Sequence, residues 1–355
     1  MKHALLSFFL LMITGGIQAA APAVLKMQTD PDTMNVHPQH DTLDFRISVH
    51  QSNGTPIPRA RLHVQLQAPD TPWLASTDFP VVEGTSLLDT DVQLDQGEYK
   101  FRYVPPIRGV YTLKASVTPL PGDTSFAPAE QQWQTEITEN PDKKRNLALL
   151  LFILVVVGSV TGYVLGRSPV PSTLILLVLV CWQAVPLKAH GPDHGPAHAS
   201  KPASQTSIPG ESGSLDVQLL TEQPRVGELS SLNARYIDTQ GRQQPARFRL
   251  QVVQLEHGTE VFSTEMIAPD GFVQWQGQFY DGSEHRITVE AIPLASSWSE
   301  GKSANAQLDV SVASVSPPTR SVLKSFGFLT AWTTLALILG LVVGRFFARK
   351  ERGLI

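Results

Sequence analysis

The chain has a single cysteine, Cys181, in 355 residues. No disulfide can form within it, so any exported domain stands on its apolar core alone. The patterns of common catalytic and nucleotide sites are missing as well. There is no Gly-rich phosphate loop, no His-Glu-x-x-His helix, no Cys-x-x-Cys pair and no credible cleft of paired carboxylates, which argues against an enzyme. An excess of either charge is also lacking: 28 Lys and Arg face 32 Asp and Glu, a formal net charge of −4. Without a basic stripe or interleaved aromatics, nucleic acid is not an expected partner. What the chain does have is apolar runs, with polar stretches of domain size between them.

The first run, Ala4 to Ile13, comes after Lys2 and His3 and precedes the small residues Ala19, Ala20 and Ala21. This order predicts a secretory signal peptide over residues 1–21, or an uncleaved signal anchor; both export the domain downstream. Leu147 to Leu165 and Phe326 to Phe347 are each long enough to cross a bilayer as helices, giving predicted transmembrane segments 146–166 and 322–347. Between them, Ser172 to Leu187 is shorter, contains Pro186 and has the character of a second signal core; it is read as a further transmembrane helix, 172–188.

These spans predict a bacterial inner-membrane protein with both soluble domains periplasmic, an inner turn at Arg167 and a basic cytoplasmic tail, 348–355. Arg345, Arg349, Lys350 and Arg352 sit at that end, as the positive-inside rule expects. Lys143, Lys144 and Arg145 oppose the assignment, although Glu139 and Asp142 partly balance them.

The soluble stretches, 24–140 and 214–316, read as β-rich. Leu43, Phe45, Ile47 and Val49 alternate with polar residues, as do Tyr99, Phe101 and Tyr103, and Tyr111, Leu113, Ala115 and Val117. A period of two marks half-buried strands, and short strands at this spacing predict β-sandwiches. The two stretches share landmarks. Phe45, Ile47 and Val49 match Leu232, Ala234 and Tyr236, Phe101 matches Trp275, Leu113 matches Ile287, and His285 takes the place of Tyr111. The expected fold is therefore mainly β, with two immunoglobulin-like β-sandwich domains and three transmembrane α-helices, produced by internal duplication.

Gly97-Glu-Tyr-Lys-Phe-Arg-Tyr together with Gly109-Val-Tyr-Thr-Leu-Lys-Ala resembles the terminal hairpin of bacterial immunoglobulin-like domains, including YtkA-like and FixG-type periplasmic domains. The resemblance implies a non-enzymatic role beside metal-handling or respiratory membrane systems. It carries over no site residue, because the shared positions are core and turn.

Chemical character concentrates in the linker, 189–213, rich in His, Pro, Gly and Ser. His190, Asp193, His194 and His198 stand in a His-Gly-Pro repeat. Imidazoles with one carboxylate suit zinc or copper, and the helix-breaking Gly and Pro predict weak binding fit for capture or buffering. The linker resembles histidine-rich segments of heavy-metal efflux adaptors; the other reading is a tether that carries His. His37 and His40, and His50 and His63, are weaker pairs, read as surface histidines. Asn53-Gly-Thr55 reads as a turn, and Gly210-Glu-Ser-Gly-Ser214 lacks the strand-turn-helix setting of a serine nucleophile.

Within the spans, Gly158, Gly162 and Gly166, and Gly340 and Gly344, recur every four residues, which predicts close helix packing. No ionisable residue lies mid-span, which disfavours a proton or ion path. The expected function is a non-enzymatic, membrane-anchored periplasmic accessory or assembly protein of a metal transport, efflux or delivery system. Its partners would be the bilayer and a membrane protein complex, with copper or zinc bound weakly. The alternative is a structural scaffold or protein-binding module with no metal role.

Overall fold

The computed structural model of the chain describes residues 21–73, 75–167, 205–210, 213–294, 303–351 and 353. The signal-like N-terminus, the apolar segment 172–188 and His190, Asp193, His194 and His198 lie outside the described residues.

Two sets of antiparallel strands each lead into one long helix. The first set is β1 (Val24–Asp30), β2 (Leu43–His50), β3 (Arg61–Gln67), β4 (Ser86–Gln93), β5 (Glu98–Tyr103), β6 (Gly109–Thr118) and β7 (Ala129–Ile137), leading to α1 (Pro141–Arg167). The second is β8 (Gln205–Gly210), β9 (Gly213–Leu219), β10 (Leu229–Ile237), β11 (Ala246–Gln254), β12 (Thr259–Ala268), β13 (Phe272–Gln278), β14 (Glu284–Pro293) and β15 (Ala304–Ser311), leading to α2 (Thr319–Glu351). The architecture is thus mainly β with antiparallel sheets. Two long apolar helices stand among the described residues where three were expected, the third expected one being the undescribed segment.

Alternation does what the sequence pattern requires. In β2, Leu43, Phe45, Ile47 and Val49 are buried while Asp44, Arg46, Ser48 and His50 are not. Each large side chain so buried contributes about 1.5–3 kcal/mol. Within the first set the strands pair as β1-β2-β5 and β4-β3-β6-β7, and within the second as β8-β9-β10-β13 and β12-β11-β14-β15.

The two sets share register as well as order. Phe45 pairs with Phe101 and Ile47 with Tyr99; in the second set Leu232 pairs with Trp275 and Ala234 with Val273. Leu113 faces Leu66 as Ile287 faces Val252. The turns agree too. Val49 N donates to Gly97 O and Tyr236 N to Gly271 O, both at 2.9 Å. Gly97 and Gly271 both have positive φ, 80° and 71°, and a Cβ on either would press on a backbone carbonyl, Ile57 O or Gln244 O.

One expectation needs correction. The segment resembling a terminal hairpin is not one: β5 pairs with β2 and β6 pairs with β3 and β7, so the chain crosses between sheets. The crossing passes through Val104-Pro105-Pro106, where two consecutive residues lack an amide donor, and the second set makes the same crossing between β13 and β14 without proline. The crossing is pinned by the Tyr111 hydroxyl, which donates to Ile107 O at 2.5 Å and accepts from Ile107 N at 3.1 Å. That geometry is a tyrosine corner. A second correction concerns the linker: β8 lies inside the stretch read as 189–213 and pairs with β9.

Candidate functional site: the module junction and the helix pair

The metal expectation meets no counterpart in the described part of the chain. Among the described residues no group of three or more His, Cys, Asp or Glu is placed to hold a metal ion. His63 lies 3.6 Å from Asp89 and 3.3 Å from Asp91 on an exposed face, and His50 is on β2 in the other sheet of its set, so the two histidines do not meet. His37 lies in the loop after the short 3₁₀ turn Thr33–Asn35, where its amide donates to Asp41 at 2.8 Å. Asn53 accepts from Thr55 N at 2.9 Å, the turn expected there.

His285 is the most unusual titratable group. It is fully buried at the position Tyr111 holds in the first set. Nδ1 lies 3.2 Å from Ser283 O, Nε2 lies 3.4 Å from Asp281 Oδ1, and the ring packs on Phe279 with centroids 4.9 Å apart. Burial pushes its pKa below the ordinary histidine value, and the nearby Asp281 carboxylate works against that shift. A His–Asp side-chain contact thus replaces the tyrosine corner.

The two strand sets join edge to edge, a relationship no sequence pattern announces. β5 pairs with β12 through Tyr103–Phe262, Arg102–Ser263 and Phe101–Thr264. β4 pairs with β13 through Leu88–Gly277. Leu88 corresponds to Phe262 in the repeat, and Gly277 to Tyr103, so the two contacts are the same contact made twice. Between them Gln93 pairs with Ile267, which occupy equivalent positions. The junction therefore has the self-complementary form of a two-fold interface, built inside one chain.

Side chains fill this junction by compensation. A row of rings, Phe45–Phe101–Phe262–Trp275, crosses it with successive centroids 4.7, 6.3 and 5.4 Å apart. Where the first set has Phe101 and Tyr103, the second has the larger Trp275 and Gly277. A Cβ on Gly277 would lie 2.0 Å from the Trp275 ring. On the outer face a groove of about 1190 Å³ runs over β2, β5, β12 and β11. Several of its charges are paired: Arg102 with Asp44 at 2.8 Å, Arg247 with Asp95 at 2.9 Å, and Arg249 with Glu265 at 2.7 Å.

Beyond the β-modules, α1 and α2 run parallel and touch along their glycines. Gly158 faces Gly340 and Leu337, Gly162 faces Leu341, Gly344 faces Ser159, and Gly166 faces Ala348. A Cβ on Gly340 would come within 2.3 Å of Val155 O, so only glycine permits this approach. Of the three α1 glycines, Gly158 is the one that lies against Gly340. Arg167, Tyr163 and Glu351 cluster where the pair ends, with Tyr163 Oη 2.8 Å from Glu351. Both helices are long and apolar enough to cross a membrane. Two of the three basic residues at the start of α1 are paired: Lys143 with Asp78 and Glu139, and Arg145 with Asp142 at 3.0 Å.

No protein-family profile and no curated protein matches the chain. Solved structures that align with most of it include three bacterial proteins. Trypsin-activated alpha-2-macroglobulin from Escherichia coli is 11% identical over 83% of this chain and 16% of its own, with a TM-score of 0.23. The adhesin InvE of Yersinia pseudotuberculosis is 11% identical over 84% and 61%, TM-score 0.20. Invasin, a bacterial integrin-binding protein, is 10% identical over 82% and 40%, TM-score 0.22. The chain spans less than two thirds of each, and at these TM-scores no assignment rests on them.

Proposed function

We propose that this is a non-enzymatic, membrane-anchored accessory or assembly protein that presents two immunoglobulin-like modules, locked into one body, on the periplasmic side of a bacterial inner membrane. One observation carries the reading: two β-modules joined edge to edge are each continued by an apolar helix, and the two helices leave in the same direction. Such a platform has no ionisable path through its spans and suits holding other membrane proteins. In this topology both helices run inward, so the chain between Arg167 and Gln205 recrosses the bilayer, the part proposed for Ser172 to Leu187. The matched registers of the two strand sets support their origin as copies of one module.

Purification of the full chain from its own membrane in mild detergent, with mass spectrometry of the product, tests this. Recovery in stoichiometric association with further membrane proteins is expected; a monodisperse single species would set it aside.

The linker histidines favour a second, more specific reading, in which the served system handles metal. Calorimetry of the full chain with Zn(II) and Cu(II) should show binding that disappears when His190, His194 and His198 are changed to Ala. It should also weaken as pH falls below about 6.5, since only neutral imidazole binds metal. Equal heats from both proteins would leave the scaffold without a metal role.

A further inference from the structure

The two strand sets differ most between their third and fourth paired strands. The second set closes the β11–β12 connection within Leu255 to Gly258, whereas the first inserts Ala68 to Thr85 between β3 and β4. That loop is tightly held. Ala68 N donates to Thr85 O at 2.9 Å and Gly84 N to Pro69 O at 2.8 Å, closing its base. Inside it, the buried Glu83 carboxylate accepts from Thr77 N, Thr77 Oγ1 and Ser76 Oγ at 2.7, 2.9 and 3.2 Å. A buried carboxylate is tolerated only when so satisfied, and satisfying it folds the loop around one point. Phe79 then braces the loop against Tyr280 of the second set, with centroids 5.5 Å apart.

The tip of this loop meets both helices where they leave the β-modules. Asp78 pairs with Lys143 of α1, and Pro72 O accepts from Lys324 Nζ of α2 at 3.3 Å. At the helical rise, Lys324 lies about 3 Å along the axis before Phe326, where the apolar run of α2 begins, and Lys143 about 6 Å before Leu147. Next to Pro72 stands Trp73, 84% exposed. Among the described residues no large apolar side chain is more exposed, including those on the outer faces of the helices.

We propose that Trp73 is a membrane-surface anchor, seated in the headgroup zone of the bilayer that α1 and α2 cross, with Lys143 and Lys324 at the same level. This rests on the reading that the two helices span a membrane. The indole suits that depth because its body is apolar while its N–H needs a wet acceptor. Since the bonds of Ala68, Gly84, Thr77 and Ser76 already hold the described parts of the loop on both sides of the ring, seating it costs little conformational entropy. The anchor fixes how the β-modules tilt over the surface, and the second set has no counterpart for it.

Tryptophan fluorescence of the full chain in phosphatidylcholine and phosphatidylglycerol vesicles tests this, using lipids brominated either near the headgroup or near the chain ends. In Trp73→Phe the quenching by shallow bromines should be lost while quenching by deep bromines persists. In Trp332→Phe, which removes a ring from within the α2 span, the deep component should fall and the shallow one persist. Shallow quenching unchanged in Trp73→Phe, with deep quenching present, overturns the anchor and leaves the spans standing. Absence of deep quenching in every protein overturns the spans and the anchor with them.

Discussion

Thr90 and Thr264 make one hydrogen bond in two copies across the module junction: Thr90 Oγ1 donates to Gln274 O at 3.3 Å, and Thr264 Oγ1 donates to Lys100 O at 3.0 Å. The copies are not equal in weight. Thr264, having donated its proton, lies 3.0 Å from Tyr99 Oη and accepts from that buried phenol. Burial raises the pKa of Tyr99 and keeps the phenol neutral, so that it can donate to Thr264. Changing Thr264 to Val leaves the phenol without a partner and should cost about 1–3 kcal/mol, against about 0.5–1.5 kcal/mol for Thr90→Val. Urea unfolding of the two variants in detergent measures the difference; equal losses would contradict the assignment.

Gly277 and Trp275 form a second testable pair. Adding one methyl in Gly277→Ala drives a Cβ into the indole and should destabilise by about 1–3 kcal/mol, the usual range for overpacking. Trp275→Phe alone opens a cavity in the junction. Combined, the two changes restore the ring-and-side-chain pattern of the first set more closely, so the double variant should be more stable than the sum of the singles implies.

For the helix pair, Gly340→Leu should force α1 and α2 apart. Spin labels on cysteines placed at the exposed positions Val164 and Phe347, in a Cys181→Ser background, report the separation. A longer distance in Gly340→Leu is expected, with Gly327→Leu as a neutral control, because a Cβ there meets no atom within 4 Å.

His285 predicts a pH response with a definite sign. Its folded-state pKa lies below the unfolded value, so the unfolded chain takes up the proton first as pH falls. Stability is therefore full above about pH 6.5 and declines through the window between that value and the depressed folded one. Thermal melts between neutral and mildly acidic pH should show this decline, and His285→Tyr, which restores the residue of the other set, should remove that part of it. A melt profile identical in both proteins would exclude His285 as the source.

Sidedness is checked by fusion. A reporter active only in the periplasm, attached after Ile355, should stay inactive, and the same reporter inserted in the exposed turn at Gly258 should be active.

Much of the fold could be read from side-chain period, and the parts that could not have a common cause. Strands such as β2 and β6 announce themselves because every second residue is buried. The junction between β5 and β12 does not, because edge pairing is made by backbone amides, and Tyr103 and Phe262 look like ordinary core residues. The β5–β6 segment passes for a hairpin because its two strands alternate in phase; Pro105-Pro106 hints at the crossing, but β13 and β14 cross in the same way without proline. In the helices, Gly158, Gly162 and Gly166 at equal spacing allow more than one register, and the spacing alone does not say which is adopted. The tyrosine corner was visible only as the match of His285 to Tyr111, without its hydrogen bonds. For the linker histidines, sequence remains the source of the metal proposal.

The Gln93–Ile267 pair, flanked by two copies of one contact, bears on what dilution does to this protein. Two separate chains meeting through such a junction would part at low abundance and expose the edges of β4 and β5, which are templates for unwanted strand addition. Here the second partner is tethered to the first, so closure depends on effective concentration within the molecule and not on expression level. Having no need to remain identical, the halves are free to specialise, one keeping a tyrosine corner and a long braced loop, the other a buried His–Asp pair.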